Sequence, residues 1–338
     1  PRGGQRAPGS GRADGGDERQ ALGSDGRRGP RFDREVTRDG YAWWYLDVVS
    51  DDGAHGLTII AMLGSVFSPF YARARAGGPA EPLRHVSMHV VAYGPGTEAW
   101  SLTERDGTKG ALERSADRLR IGSSTMRWRG DVLEVDFDER TAPWRGSLRG
   151  RVRLHAPHRF AEPQAIDGRG AHLWWPVAPS ARAEVELDSH GLSFRGAAYH
   201  DANAGDEPLE RRLERWDWAR LATDDGALIT YDVEDASGER HELTLCFDRD
   251  NRPREAPSLV RSTLPRTRWG VRRGTRADHP GAAHVVRSYE DTPFYARSLL
   301  RAEVGGRRGQ GVHESLDLER FRRREVQFLL PFRMIDAR

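Results

Sequence analysis

Cysteine, lysine and long apolar runs are nearly missing from this chain of 338 residues. Its single cysteine, Cys246, excludes an intrachain disulfide framework and suits a reducing compartment. In the alternating run HELTLCFD (241–248) that thiol reads as buried and structural, not as a nucleophile. Lys109 is the only lysine, so the positive charge is almost all arginine, a bias better ascribed to genomic base composition than to function. A net charge of +2 supplies no global field for nucleic acid, and no nucleic-acid partner is expected. No run of about 18 apolar residues exists to span a bilayer, and no signal-peptide core is visible. The sequence opens at Pro1 without an initiator Met, so a longer native N-terminus is expected. Neither a Walker loop nor a dinucleotide fingerprint occurs, so no cofactor is expected. His85 and His89 share a strand face but lack a third ligand, which argues for structure and against a metal.

What the chain does have is ten tryptophans and ample Val, Leu and Phe for a core, with length for two domains. Residues 1–31 are Gly, Arg, Ser, Asp and Pro with almost nothing apolar; they cannot offset their ordering entropy and are expected to be disordered. Short alternating runs follow at 41–49, 57–63, 85–93, 98–104, 119–121, 125–129, 132–138 and 146–155, separated by Asp/Gly turns. The stretch SVFSPFYARARAGGP (65–79) interrupts them as a short helix or lid. After a break at 206–208 a second set of runs continues to residue 332. The pattern predicts an all-β protein of two tandem antiparallel β-barrels, 32–210 and 211–338, able to enclose an apolar ligand.

The stretch 170–209 reads as two extended segments joined by a polar turn at residues 188–191. Period-two geometry puts His172 and Trp174 on one face, and Tyr199 and Asp201 on one face. An imidazole, an indole, a phenol and a carboxyl can thus meet in one pocket. Each also has a plain structural reading, as satisfied His, core Trp, rim Tyr or turn Asp. His200 should point the other way, and Trp216 and Trp218, which share a face, read as core of the second domain or else as the floor of a pocket.

With DGYAWWYLD (39–47), GSVFSPFYA (64–72), AYHDANAGDEPLE (198–210) and WDWAR (216–220), the chain resembles the carotenoid 1,2-hydratases, or hydroxyneurosporene synthases, from about Arg31 onward. The resemblance implies paired lipocalin-like barrels and a cofactor-independent hydro-lyase. Such an enzyme adds water across the terminal 1,2 double bond of acyclic carotenoids such as neurosporene or lycopene. It also implies that activity rests on a His-x-Trp and a Tyr-x-Asp, here His172, Trp174, Tyr199 and Asp201.

The residue types suit that chemistry. Protonating an isolated alkene needs a carboxylic acid that stays neutral at working pH, and burial among apolar walls raises an Asp in that direction. An indole face within about 6 Å of the resulting tertiary cation is worth about 2 kcal/mol when desolvated. Water adding from the opposite lobe gives up a proton to an imidazole or phenol. Asp201 is therefore expected as proton donor, Trp174 as cation stabiliser, and His172 with Tyr199 as water-positioning relay. Two mixed apolar and Arg stretches, 66–75 and 321–334, suit peripheral contact with a photosynthetic or inner membrane from the cytoplasm, or else ordinary solvated edges. Two further function classes stay in view. One is a non-catalytic lipocalin-type carrier of a long apolar ligand; the other is a glycosidase with a second acid across a polar groove from Asp201.

Overall fold

The structure, a computed structural model, describes residues 30–338. Residues 1–29, most of the tail expected to be disordered, lie outside the described residues. The first half contains β1 (Tyr41–Ser50), β2 (Gly56–Leu63), helix α1 (Pro69–Ala76), β3 (Val86–Tyr93), β4 (Ala99–Arg105), β5 (Leu112–Arg114) and β6 (Arg118–Ile121). There follow β7 (Ser124–Arg129), β8 (Val132–Arg140), β9 (Ser147–His155), β10 (Gln164–Ala165), β11 (His172–Leu187), β12 (Leu192–Gly205) and the single turn α2 (Leu209–Arg212). The second half contains β13 (Leu213–Thr223), β14 (Gly226–Asp235), β15 (Arg240–Asp248), β16 (Pro253–Arg254), β17 (Val260–Leu264) and β18 (Arg273–Ala277). It ends with β19 (Ala283–Asp291), β20 (Tyr295–Val304), β21 (Arg307–Asp317), helices α3 (Leu318–Phe321) and α4 (Arg324–Leu329), and β22 (Ile335–Asp336).

The expected strands are present, and the 65–79 stretch does form a helix, α1. Ser68 caps it by accepting from the Phe70 and Tyr71 amides, and the buried Tyr71 hydroxyl donates to Gly40 O at 2.7 Å. The polar turn at Asp188–His190 ends on Gly191 at φ 60°, a left-handed conformation that glycine adopts without a Cβ clash.

The strands form one 13-stranded sheet, ordered β22-β4-β3-β2-β1-β12-β11-β9-β8-β7-β6-β5 with β10 beside β11, then a seven-stranded sheet and the hairpin β17–β18. The large sheet curls into a half-barrel that brings β3 and β4 near β6, β8 and β9. Hydrogen bonding closes neither large sheet among the described residues. The protein is thus mostly β, and the chain returns at its C-terminus to lay β22 parallel to β4.

Strand alternation gives the large sheet two working faces. Along β1, Ala42, Trp44, Leu46 and Val48 point into the curl, where Leu, Val, Ile and Met from β2 to β12 fill the space. Tyr41, Trp43 and Tyr45 point out of it and pack on the second sheet, against Trp216, Trp218, Tyr231 and Leu316. The far face of the second sheet, with Leu221, Leu228 and Leu300, is covered from the β17–β18 hairpin by Leu264 and Ala277. The interior of the half-barrel is therefore lined by buried apolar side chains, and a second, aromatic-rich cluster lies between the sheets.

Candidate active site

Asp201 sits on β12 directly opposite Tyr45 of β1, on the face turned to the second sheet. Trp174 of β11 stands opposite Asn203, one diagonal step from Asp201, a distance a large side chain can span. Its indole Nε1 donates to Asp201 Oδ2 at 3.0 Å, and the Tyr199 hydroxyl donates to the same oxygen at 2.8 Å. Asn203 Nδ2 donates to Oδ1 at 3.2 Å. Two of the expected residues, Trp174 and Tyr199, thus converge on the carboxyl of a third, and Asn203 joins them.

Burial pushes the Asp201 carboxyl up to about 8, the Trp174 and Tyr199 donors pull against it, and nearby Glu314 and Asp47 push it further up. The group is consequently a neutral acid at pH 7. Tyr199 is fully buried, with its ring 5.1 Å from Trp218 and 6.0 Å from Tyr45.

His172 lies apart from this cluster. It faces Gly205 at the start of β11, its Nδ1 is 2.9 Å from the Tyr41 hydroxyl, and its buried Nε2 has no partner. Burial holds its pKa below the usual imidazole value. Tyr41 stacks on His172 at 5.8 Å and on Trp43 at 4.8 Å, so the imidazole supports an aromatic stack and does not touch Asp201. A Cβ on Gly205 would lie 2.5 Å from the Tyr41 ring and 2.6 Å from His172 Nδ1, which reserves that position for glycine. His200 points away from the cluster, as expected, and bonds Tyr45 O at 2.8 Å.

A cavity of about 380 Å³ opens beside the cluster. The first sheet contributes Trp43, Tyr45, Ile60, Met62, His89 and Trp100; the second contributes Trp216, Tyr295 and Glu314; the C-terminal segment contributes Val326, Leu329 and Met334. Asp201, Trp174, Tyr199 and His172 are not in its lining. Trp43, Tyr45 and Trp216 stand between, and Tyr231 bridges Trp216 to Trp174 at 6.1 and 5.3 Å between ring centres. Trp174 is completely buried, so it meets Asp201 as a hydrogen-bond donor, while the indoles lining the cavity are those of Trp43, Trp100, Trp216 and Trp269.

Sequence reasoning missed a charged network at the same level. Buried Arg297 of β20 reaches Asp47 Oδ2 at 3.4 Å and bonds both Glu314 and the Tyr45 hydroxyl, the latter at 2.5 Å. Tyr45 and Asp47 lie within the 39–47 motif on the face of Trp43, so alternation could have singled them out. Arg297 and Glu314 carry no local signal; their role exists only because the sheets meet. The cavity wall also holds three buried polar atoms without partners, Thr58 Oγ1, His89 Nε2 and Glu290 Oε2.

Asp235, Glu239 and His241 bring ligand atoms within 4.8 Å of one another. Asp235 Oδ1 is already engaged by the Ser237 and Glu239 amides in its own turn, and nothing else at the surface directs these groups to an ion. Of the two histidines read as structural, His85 bonds Glu104 at 2.7 Å and the His89 ring lies tilted against Trp100 at 4.3 Å.

The family model described as carotenoid hydratase CrtC matches residues 59–337 of this chain. The chain is 46% identical to the acyclic carotenoid 1,2-hydratase of Thiocapsa roseopersicina, across 98% of this chain and 82% of that one. It is 42% identical to the enzyme of the same description from Rubrivivax gelatinosus, across 90% and 75% of the two chains. Its fold is similar to the crystal structure of an AttH protein from Nitrosomonas europaea, with a TM-score of 0.54 at 13% identity over 83% and 92% of the chains.

Proposed function

The chain belongs to the carotenoid hydratase CrtC family and hydrates acyclic carotenoids, and we propose that the reaction begins with proton transfer from Asp201. The observation that carries this is a carboxyl buried among Trp174, Tyr199, Trp218 and Tyr45 and held neutral to about pH 8. The polyene end enters the aromatic cavity between the sheets and passes Trp43, Tyr45 and Trp216 to meet the acid. Asp201 gives its proton to C2 of the terminal 1,2 double bond, leaving the positive charge on the tertiary carbon C1.

Aromatic faces attract that cation, each worth about 2 kcal/mol when water is excluded. The indoles of Trp43 and Trp216 can serve, and the Trp174 N–H stabilises the Asp201 carboxylate that proton transfer leaves. Water adds at C1, the oxonium loses a proton, and Asp201 is reprotonated, so the sum is alkene plus water giving the 1-hydroxy carotenoid. Tyr199, bonded to the acid, is the relay that returns the proton. Glu314, a carboxyl that lines the cavity, takes the proton from water in this reading. His172 acts through Tyr41 and Trp43, orienting the wall.

The same reading treats the lobes 32–210 and 211–338 as lipocalin-like units that cooperate in one site. It also places the enzyme peripherally on the cytoplasmic side of a membrane holding the substrate. No helix among the described residues is long and apolar enough to cross that membrane. Incubating pure protein with lycopene in detergent separates this reading from the carrier: the hydratase yields a product heavier by one water. Recovery of bound but unchanged lycopene would leave a carrier.

A further inference from the structure

Seven large apolar side chains are exposed among the described residues, and four of them gather in one place. Trp269 is 55% exposed, Phe328 70%, Leu329 45% and Phe332 61%, and three of these, Trp269, Leu329 and Phe332, also line the cavity. They form its rim, one side toward the apolar interior and the other toward solvent. Arg320 fixes the two parts of the rim together, donating from Nη1 to Trp269 O at 2.7 Å, and Phe328 packs edge-on to Phe332 at 5.7 Å. Scattered exposed apolar groups need no explanation, but a cluster around an opening does.

Arginine predominates around this rim, and the nearest acid, Asp291, is taken up by the Arg268 and Trp269 amides. Arg266, Arg268, Arg272 and Arg324 are exposed and have no carboxylate partner among the described residues. Arg323 meets only Glu319, at 3.5 Å on the surface, and Glu325 is the one further acid on α4. Aromatic side chains ringed by unpaired arginines match a bilayer whose headgroups are anionic, with rings at the acyl boundary and guanidinium groups among the phosphates.

We propose that the loop 266–272 and the segment 322–334 form a docking face for an anionic lipid bilayer, which holds the cavity mouth against the membrane. The substrate then slides from the acyl chains into the cavity without crossing water. The purpose of the face rests on the carotenoid-hydratase reading, while its binding to lipid can be measured without catalysis.

The full chain is sedimented with vesicles of phosphatidylcholine alone and of phosphatidylcholine with a quarter phosphatidylglycerol. Partition onto the anionic vesicles should be at least about tenfold stronger and should weaken as salt rises. Phe328→Ser and the pair Arg266→Ser/Arg268→Ser, none of which lines the cavity, should each lower that partition by roughly tenfold. Both variants should hydrate detergent-dispersed lycopene as the parent does, and vesicle-embedded lycopene more slowly. Equal binding to both vesicle types, or variants that sediment like the parent, would overturn the proposal. So would a dimer in light scattering that Phe328→Ser dissociates while no vesicles are bound, which would make the rim a contact between copies. Vesicle binding as expected with no hydration in detergent would sink the catalytic reading and leave the docking face standing.

Discussion

A carboxyl surrounded by three donors would ordinarily be held as the anion, yet Asp201 is pushed up to about 8 because burial outweighs the Trp174 and Tyr199 bonds. If, as proposed, it is the proton donor, its acid form is the working form and hydration should fall as pH rises through about 8. Asp201→Asn should lower turnover by about 10²- to 10⁴-fold, the usual contribution of a general acid, as read by product formation from lycopene. The stability sign follows from the same shift. A group whose folded pKa is raised stabilises fully below its unfolded value, near 4, and loses that contribution as pH climbs through about 8. Asp201→Asn should therefore gain in melting temperature relative to the parent between pH 5 and pH 9, and a constant difference would count against a neutral acid. Tyr199→Phe removes one of the donors that pull Asp201 down. The alkaline limb of its kcat/KM profile should move above about pH 8, whereas an unmoved limb would place the phenol elsewhere in the mechanism.

Between elements, the decisive contact is the one linking β1, β20 and β21. Arg297 is 2% exposed and serves Asp47 and Glu314 across the sheet interface. Replacing it with Leu leaves buried carboxylates without their cation, a change that costs about 3–5 kcal/mol in comparable cases. Burial raises Glu314 and Arg297 draws it down, so loss of Arg297 lets it rise further. Stability lost with rising pH then makes the deficit of Arg297→Leu in urea melts larger at pH 8 than at pH 5. Local pattern exposed much of β1, β11 and β12, because alternation assigns a face to each side chain without knowing the partner sheet. It placed Trp174, Tyr199 and Asp201 on one side correctly. It also grouped His172 with them, since period two reports a face and not a position along it. His172 stands opposite Gly205, at the far end of the shared ladder, and so meets Tyr41 instead of the acid.

At the scale of the whole molecule, the proposed site belongs to neither sheet alone. The face of the first sheet with Tyr41, Trp43, Tyr45 and Tyr199 would be bare without Trp216, Trp218 and Tyr231 of the second. Residues 30–208 expressed alone should bind a hydrophobic dye and aggregate, and co-expression with 209–338 should restore a dye-silent soluble particle. A well-behaved monomer from the first piece would show that the aromatic face closes on its own. The chain's own residues determined the all-β class, the strand positions and the family motifs, because alternation and turn chemistry act over a few neighbours and leave a local trace. Only the tertiary structure decided where the ligand space lies. The interior of the curled sheet is filled by buried apolar side chains, and the cavity formed instead where aromatic faces of the two sheets meet. It alone brought Arg297 to Tyr45 and Asp47, because a pairing between residues some 250 positions apart is set by how sheets pack and leaves no periodicity to read.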